Sequence, residues 1–313
     1  PDYCTAMYGV DVLQRTHEKP FFLAVGFIKP HLAFVCPKPY FDLYKDPIVP
    51  PPVEANDLAD VPWAARSNAK LNDDFRFRKD RAWEKVHRAY LACISWTDAN
   101  VGRVLDALKA SPYADNTIVV LWSDHGYHQG EKRSFRKFSL WEEATHVPYI
   151  IWDTRGQSGN GKACDEAVSL IDTYKTLTEL TGVACPDYVD GVSLVPWLRT
   201  PALSRKQPAY TTWGRGNYSV RMRDWRYTRY FNGGEELYHN ARDLQEWTNL
   251  AARPEYAAKK KALIGMLPPN EALLVRSGKA LHNVVDADQP ELKQFKKQWS
   301  NMNAKIQPPL DIN

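Results

Sequence analysis

The chain has 313 residues, of which 44% are hydrophobic, and a formal net charge of +4. This composition is typical of a globular protein with one large domain, or with a large domain and a small appendage. The small net charge gives no argument for a nucleic-acid partner. No run of residues approaches the roughly 18 apolar positions of a membrane span. The first residues, PDYCTAMYGV, lack the basic and apolar regions of a signal peptide.

Periodic patterns predict the elements of the first two thirds of the chain. Helical spacing of apolar residues predicts helices at 5–17, at 82–109 and from Asp172 to a stop at Gly182. Continuous apolar runs predict buried strands at FFLAVGF, TIVVLW and VPYIIW. Residues 36–80 are rich in proline and acids, which predicts a long loop region. Helices that alternate with apolar strands indicate an α/β fold with a largely parallel sheet.

The pattern changes near residue 205. The stretches YSVRMRDWRYTRYF and EELYHN predict short strands of a meander, and helical spacing returns near 254–265. The tail after residue 285 is polar and is expected to cover part of the surface. We therefore predict a main α/β domain at 1–204, followed at 205–313 by a small α+β subdomain with an antiparallel sheet and the tail.

Five cysteines are scattered along the chain: Cys4, Cys36, Cys93, Cys164 and Cys185. None belongs to a Cys-x-x-Cys pair, which disfavours a zinc cluster. An odd number leaves at least one thiol without a partner in this chain. Cys164 and Cys185 flank a predicted helix and could form a disulfide or remain two buried thiols. The cysteine count therefore does not set the compartment.

Polar side chains follow two of the predicted strands. Asp124 and His125 come directly after TIVVLWS, and His31 comes after FFLAVGFIKP. Ligand sites of α/β sheets lie at the carboxyl ends of strands, and parallel strands would bring these residues to one edge. A carboxylate and an imidazole can ligate a divalent cation, and a second imidazole can act as a general acid. An ordinary Asp-His-Gly turn and a surface histidine are the alternatives.

A run of cations follows this pair. Lys132, Arg133, Arg136 and Lys137 could bind an oxyanion, because lysine and arginine donate charged hydrogen bonds to such groups. A solvated basic face is the alternative, since exposed charge runs are common on protein surfaces.

Together, FFLAVGFIKPH, the long helix, TIVVLWSDHG, GEKRSFRK and EEATHVP resemble the sulfatase family of the alkaline phosphatase superfamily, above all its iduronate-2-sulfatase branch and the bacterial relatives. The resemblance runs in order from about residue 6 to residue 265. It includes DWRYTRYFNGGEELYHNARDLQEWTNLA in the predicted C-terminal subdomain. The fold implied is the largely parallel α/β sheet of alkaline phosphatase, here without its N-terminal strands.

The resemblance implies a role for each candidate residue. Asp124 and His125 correspond to half of a calcium (Ca²⁺) site. His31 corresponds to the histidine that contacts the sulfate ester and protonates the leaving oxygen. Lys137 corresponds to the lysine that binds a sulfate oxygen. These roles suit the residue types, because a cation and a lysine offset sulfate charge and an imidazole assists departure of an alkoxide.

Four further residues are expected at the edge of this site. Thr145 and His146, in EEATHVP, are expected to support it without taking part in the reaction. Arg215 and Asn217, in WGRGNYSVR, are expected to touch the substrate.

The sequence departs from the family at the nucleophile. Sulfatases carry it in Cys-x-Pro-x-Arg, or a Ser or Ala variant, in which the Cys or Ser becomes formylglycine. Residues 1–313 contain no such motif: Cys4, Cys36 and Ser67 all lack the Pro and Arg that should follow. The Asp-Asp pair that completes the calcium site and the Lys/His segment after the nucleophile are also missing. The nucleophile is therefore expected in a separate chain or in missing sequence.

The sequence thus predicts a portion of a sulfatase. We expect it to hydrolyse sulfate esters of a sulfated carbohydrate, such as an iduronate-2-sulfate-like unit of a glycosaminoglycan, once a formylglycine-bearing N-terminal segment completes it. Alone, it is expected to be inactive, and unstable or self-associating, because strand edges would lack partners. The alternatives are a phosphodiesterase or phosphonate monoester hydrolase of the same superfamily, or a truncated chain that binds glycans without turnover. The resemblance implies a periplasmic or secreted protein.

Overall fold

The computed structural model describes residues 1–45, 47–69, 71–156 and 159–268. These residues form two compact units, each built from separate stretches of the chain. The first contains 1–51, 72–122 and 149–160; the second contains 52–71, 123–148 and the described residues from Gly161 onward. This division does not coincide with the expected one at residue 204, which stays a prediction. The expected polar tail lies outside the described residues.

The described helices are α1 (Asp2–Gln14), α2 (Lys38–Phe41), α3 (Trp63–Arg66), α4 (Leu71–Lys79), α5 (Trp83–Lys109), α6 (Glu142–Thr145), α7 (Asp172–Thr181), α8 (Val195–Arg199) and α9 (Ala257–Ile264). Short 3₁₀ turns lie at Glu131–Arg133 and Pro254–Tyr256. The described strands are β1 (Ile118–Trp122), β2 (Tyr149–Asp153), β3 (Ala209–Thr212), β4 (Tyr218–Arg221), β5 (Arg226–Arg229) and β6 (Glu235–Tyr238). Among these helices, none is long and apolar enough to cross a membrane.

The first unit is built around the contact between α1 and α5. The inward face of α1 carries Ala6, Gly9 and Leu13, all buried. A Cβ on Gly9 would lie 3.2 Å from Val25 Cγ2 and 3.5 Å from Val104 Cγ2, so the missing side chain allows close packing there. The predicted helices at 5–17 and 82–109 are confirmed, since amphipathic spacing favours burial of one face.

The predicted buried strand at 21–27 is wrong. These residues belong to no strand among the described residues, and exposure alternates along them. Phe22 is 83% exposed, whereas its neighbours Phe21 and Leu23 are partly buried. A continuous apolar run indicates burial on both faces only where other strands and helices cover it. No described strand pairs with this run.

The strands β1 and β2 form a two-stranded antiparallel sheet, in which Ile118 is opposite Asp153 and Trp122 is opposite Tyr149. Both strands were predicted from their apolar runs. Their antiparallel pairing corrects the expectation of parallel neighbours for this part of the chain. Residues 36–80 are also not one continuous loop, because they hold α2, α3 and α4, and Pro37 and Pro62 precede two of these short helices.

The second unit contains the predicted meander, a four-stranded antiparallel sheet in the order β3-β4-β5-β6. Side chains alternate between its two faces. Val220, Tyr227 and Leu237 point to one face and pack with Leu250 and Leu263, the latter on α9. The opposite face packs on a second core whose buried members are Val61, Ala64, Ala65, Ala69, Leu71, Leu140, Trp141, Tyr230 and Tyr238. The sheet is therefore covered on both sides.

Candidate active site

Asp124 and His125 follow β1 in the chain and contact each other. The Asp124 carboxylate, 82% exposed, accepts a hydrogen bond from the His125 backbone N–H at 3.1 Å. Its Oδ2 lies 3.5 Å from His125 Nε2. His125 Nδ1 lies 2.8 Å from the Gly126 carbonyl oxygen. A carbonyl oxygen only accepts, so Nδ1 carries the proton and donates, which leaves the lone pair of a neutral ring on Nε2.

The spacing of this pair would allow one divalent cation to contact both side chains, and half of a calcium site stays a prediction. Calcium ligands lie about 2.3–2.6 Å from the ion, so two donor atoms 3.5 Å apart can share one ion. The hydrogen bond from Nδ1 to a carbonyl is the contact that ordinarily orients a metal-bound histidine. Calcium takes about six to eight ligands, however. Within the described residues, no group of three or more His, Cys, Asp and Glu side chains could hold a metal ion.

The backbone around the pair is held by α6. The Gly126 N–H donates to the Ala144 carbonyl at 2.9 Å. A Cβ on Gly126 would overlap the backbone carbonyl of Glu143, so only glycine fits this close approach. The Ser123 hydroxyl donates to the His125 carbonyl at 2.8 Å. The position of His125 therefore depends on the backbone of residues 143–144.

Lys137 belongs to the same unit as Asp124 and His125. Its side chain is half-buried, and Nζ lies 5.7 Å from the centroid of the Phe138 ring. Buried neighbours hold the backbone on both sides: Phe135 before it and Ser139 after it, whose N–H donates to the Lys137 carbonyl at 2.9 Å. The charge run is thus not a uniformly solvated face.

Lys132 is not available to bind an anion, which corrects the expectation for this member of the run. Its side chain is buried, and Nζ donates to Asp57 Oδ1 at 2.5 Å and also to the Glu246 carbonyl. The rings of Trp141 and Tyr238 lie 5.8 and 5.4 Å from the ammonium. A buried ammonium is stable only when it is paired and hydrogen-bonded, so Lys132 is a structural residue.

A buried charge network, which sequence reasoning missed, joins the 131–146 segment to the C-terminal sheet. Arg226 donates to Glu246 Oε1 at 2.6 Å and also pairs with Glu142. Arg221 donates to the two Glu142 oxygens at 3.0 and 3.1 Å. Burial alone would raise the pKa of Glu142, but Arg226, Arg221 and a hydrogen bond from His146 hold it well below its ordinary range. Glu142 is therefore ionised and fixed.

Other buried titratable groups surround the same segment. Burial raises the pKa of Glu131 to about 7, and its Oε2 accepts the Gln129 N–H at 2.6 Å. Burial and the charge of Lys132 lower the pKa of His128 to about 3, so its ring is neutral at physiological pH. His128 Nε2 lies 2.8 Å from the Ser139 hydroxyl. His128 is fully buried, whereas Glu131 is partly exposed.

Two of the predicted peripheral residues contact the charge network. Thr145 Oγ1 accepts a hydrogen bond from Arg226 at 2.9 Å and donates to the Trp141 carbonyl at 3.1 Å. The His146 ring lies 3.3 Å from Glu142 Oε1, and this hydrogen bond raises the pKa of His146. Their supporting role stays a prediction.

The other two peripheral residues lie in the turn between β3 and β4. Arg215 is exposed. The Asn217 side chain donates to the Trp213 carbonyl at 2.7 Å and accepts the Phe231 N–H at 2.9 Å, so it closes this turn. Their contact with substrate stays a prediction.

His31 lies in the first unit, at an exposed position. Its backbone N–H donates to the Ile28 carbonyl at 3.0 Å, and its Nδ1 lies 2.7 Å from the Leu32 carbonyl oxygen. As for His125, a carbonyl oxygen only accepts, so Nδ1 carries a proton in this contact. The structure brings Asp124 and His125 together, and the meeting of His31 with them stays a prediction. All five cysteines are free thiols, so Cys164 and Cys185 form no disulfide here.

Comparison with known proteins decides the family. The sulfatase family profile matches residues 5–183, which is more than half of the chain. The chain belongs to the sulfatase family. A second profile, for the C-terminal region of N-sulphoglucosamine sulphohydrolase, matches residues 130–270 of this sulfatase chain. The predicted membership in the sulfatase family is confirmed.

Curated relatives support this placement. A sulfatase of Formosa agariphila is 39% identical over 280 residues, which cover 87% of this chain and 54% of the relative. An arylsulfatase of Clostridium perfringens is 31% identical over a region that covers 84% of this chain and 57% of the relative. Human iduronate 2-sulfatase is 32% identical over 221 residues, which cover 63% of this chain and 39% of the relative. The chain spans about half the length of the first two relatives, and less of the third.

Solved structures confirm the α/β fold class. An enzyme in complex with its substrate D-glucosamine-2-N,6-O-disulfate matches with a TM-score of 0.71 at 21% identity, covering 85% of this chain and 68% of that one. The phosphonate monoester hydrolase of Agrobacterium radiobacter matches with a TM-score of 0.69 at 23% identity, covering 84% and 58%. At these identities the likeness shows the fold alone.

Proposed function

We propose that this chain is the part of a sulfatase that binds metal and sulfate, acting on sulfate esters of a sulfated carbohydrate. One observation carries the proposal: Asp124 and His125 are paired with His125 Nε2 left as a lone-pair donor, inside the region matched by the sulfatase profile. Lys137 lies thirteen residues after Asp124 in the same unit. A carboxylate, an imidazole and an ammonium are the groups that a metal-bound sulfate needs.

Each residue has a separate role in this proposal. Asp124 Oδ2 and His125 Nε2 would hold one side of a calcium ion, which offsets the negative charge of the sulfate group when it is bound. Lys137 would donate a charged hydrogen bond to a sulfate oxygen. His31 would donate a proton to the leaving alkoxide oxygen, which matters most when that oxygen is strongly basic. Gly126 would act only by holding the backbone of His125.

The proposed reaction also needs a nucleophile. Sulfatases use formylglycine, and residues 1–313 contain no motif from which it forms. We therefore propose the activity for the polypeptide or complex that contains this motif together with these residues. The 313 residues by themselves would not turn over substrate. A periplasmic or secreted location, as for most sulfatases, belongs to the same proposal.

The substrate proposed is a sulfated sugar with a 2-O-sulfated uronate. The support is the 32% identity to human iduronate 2-sulfatase. The likeness to phosphonate monoester hydrolase carries the fold only, so it does not favour the alternative chemistry.

The test uses the polypeptide that carries both the formylglycine motif and these residues. Sulfate release is measured from a disaccharide with a 2-O-sulfated uronate and from an aryl sulfate, and a phosphonate monoester serves as the competing substrate. Lys137→Ala should lower kcat/KM on both sulfates by about 10²-fold or more, because a charged donor to the reacting group is lost. Lys162→Ala, at an exposed position of the same unit, is the matched control and should change little.

Two results would contradict the proposal. Hydrolysis of the phosphonate with no sulfate release would place the enzyme in the alternative class. Equal activity of the Lys137→Ala and Lys162→Ala proteins would remove Lys137 from the sulfate site.

A further inference from the structure

Two cysteines of the first unit face each other. Cys93 lies on α5 and is fully buried, whereas Cys36 lies just before α2 and is partly exposed. The two thiols lie close enough for each to affect the pKa of the other. Burial raises the pKa of both thiols, that of Cys93 to about 12. The two residues are 57 positions apart in the sequence, so their contact comes from the fold and not from local spacing.

Contacts on either side hold the two thiols opposite each other. The segment that contains Cys36 runs along α5 and is fixed by two ring contacts that flank the pair. The rings pair as Phe34 with Tyr90 and Tyr40 with Trp96, and their centroids lie 5.4 and 5.0 Å apart. Two hydrogen-bond contacts also join this stretch of chain to α5: the Thr97 hydroxyl donates to the Lys29 carbonyl at 2.9 Å, and the Tyr44 hydroxyl lies 2.7 Å from the Ser95 hydroxyl. The thiols are thus held in register by the fold.

We propose that Cys36 and Cys93 form a disulfide when the protein meets a disulfide oxidant. The partly exposed Cys36 thiolate attacks a sulfur of the oxidant, forms a mixed disulfide and releases one thiol. The Cys93 thiol then loses its proton and its sulfur displaces the second half of the oxidant from Cys36. The two cysteines lose two protons and two electrons in total, and the oxidant is reduced to two thiols. Burial keeps Cys93 from reacting with the oxidant directly.

The bond would fasten the segment between Lys29 and α2 to the middle of α5. That segment carries His31, which stands five residues before Cys36. The proposal itself does not depend on the sulfatase activity, because disulfide formation can be measured without substrate.

The experiment uses the whole chain. The reduced protein is incubated with oxidised glutathione at about pH 8.5, where more thiolate is present, then denatured, alkylated with iodoacetamide and weighed intact. The number of alkylated thiols should fall from five to three. Trypsin does not cleave before proline, so Cys36 and Cys93 lie in the peptides 16–45 and 89–103. These peptides should be joined, and a reductant should separate them.

Variants make the assignment specific. Cys36→Ser should keep all four remaining thiols alkylated after oxidation. Cys93→Ser should instead retain glutathione on Cys36, because the resolving thiol is missing, and Cys164→Ser should still form the bond. Five alkylated thiols in the oxidised wild-type protein would overturn the proposal. So would glutathione retained on Cys36 beside an alkylated Cys93, since the second step would then not occur.

Discussion

Replacing Arg226 by methionine should leave a buried carboxylate without its charged partner. Arg226 is 2% exposed and Glu246 is 1% exposed, and their atoms Nε and Oε1 lie 2.6 Å apart. Arg226→Met keeps much of the side-chain length and removes the charge. Loss of one partner of a buried ion pair costs about 3–5 kcal/mol, because the other charge stays buried without compensation. We expect the free energy of unfolding to fall by that amount.

The contacts show which carboxylate bears the cost. Glu142 would keep its two hydrogen bonds from Arg221. Glu246 would keep the neutral donors Asn240 Nδ2 and the Glu142 backbone N–H, each at 2.9 Å. The unfavourable charge is therefore that of Glu246. The double variant Arg226→Met with Glu246→Gln should recover part of the lost stability.

The assay is urea or thermal unfolding of the whole chain, followed by circular dichroism. Arg223→Met is the matched control, because Arg223 and Asp165 form an exposed pair at 3.6 Å, 55% and 76% exposed. That variant should change stability by no more than about 0.5 kcal/mol. A loss below about 1 kcal/mol for Arg226→Met, or a double variant no more stable than the single one, would refute the reasoning.

Three further predictions follow from the same structure. Gly126→Ala should destabilise the protein by about 1–3 kcal/mol, because its Cβ would overlap the Glu143 carbonyl, whereas Gly102→Ala, with open space in α5, should stabilise it by about 0.5–1 kcal/mol. Glu131 has a folded-state pKa of about 7, above its ordinary 4.5, so its contribution to stability is full below pH 4.5 and is lost as pH rises through 7. Glu131→Gln should flatten that part of the pH profile of thermal unfolding. In the formylglycine-bearing enzyme, His31→Ala should lower turnover more for alkyl sulfates than for activated aryl sulfates.

Each of these has a result that contradicts it. Equal melting temperatures for Gly126→Ala and wild type would mean that the Glu143 backbone moves aside for the added Cβ at little cost in stability. A pH profile unchanged by Glu131→Gln, or changed equally by Glu255→Gln at an exposed position, would assign the titration to another group. Equal losses on both kinds of sulfate would exclude His31 as the general acid.

Periodicity accounts for what could be predicted. The helix α5 follows from one-sided burial, which the sequence displays as spacing of apolar residues. The strands β4 to β6 follow from short runs that contain aromatic and β-branched residues. The strand predicted at 21–27 was wrong, because apolar composition carries no information on which strand, if any, pairs with that run. The Asp124 and His125 pair was found because neighbours in sequence are neighbours in space.

Long-range charge pairing could not be predicted. Lys132 looked like one more exposed cation in a basic run, but its partner Asp57 is 75 residues away. Arg226 sits in RDWRYTR as an ordinary strand residue, and its partner Glu142 is 84 residues away. No local pattern marks either pair, since burial of a charge is decided by the packing of distant segments.

The charge network has a consequence for how sulfatase sequences diverge. Arg226, Glu142 and Glu246 lie far apart in the chain yet balance one another out of contact with water. A lineage that neutralised position 226 would leave Glu246 without a charged partner and Glu142 with Arg221 alone, unless positions 246 and 142 changed with it. Substitutions at these three positions should therefore be correlated among homologues that share this packing, and an aligned set of such sequences would show whether they are.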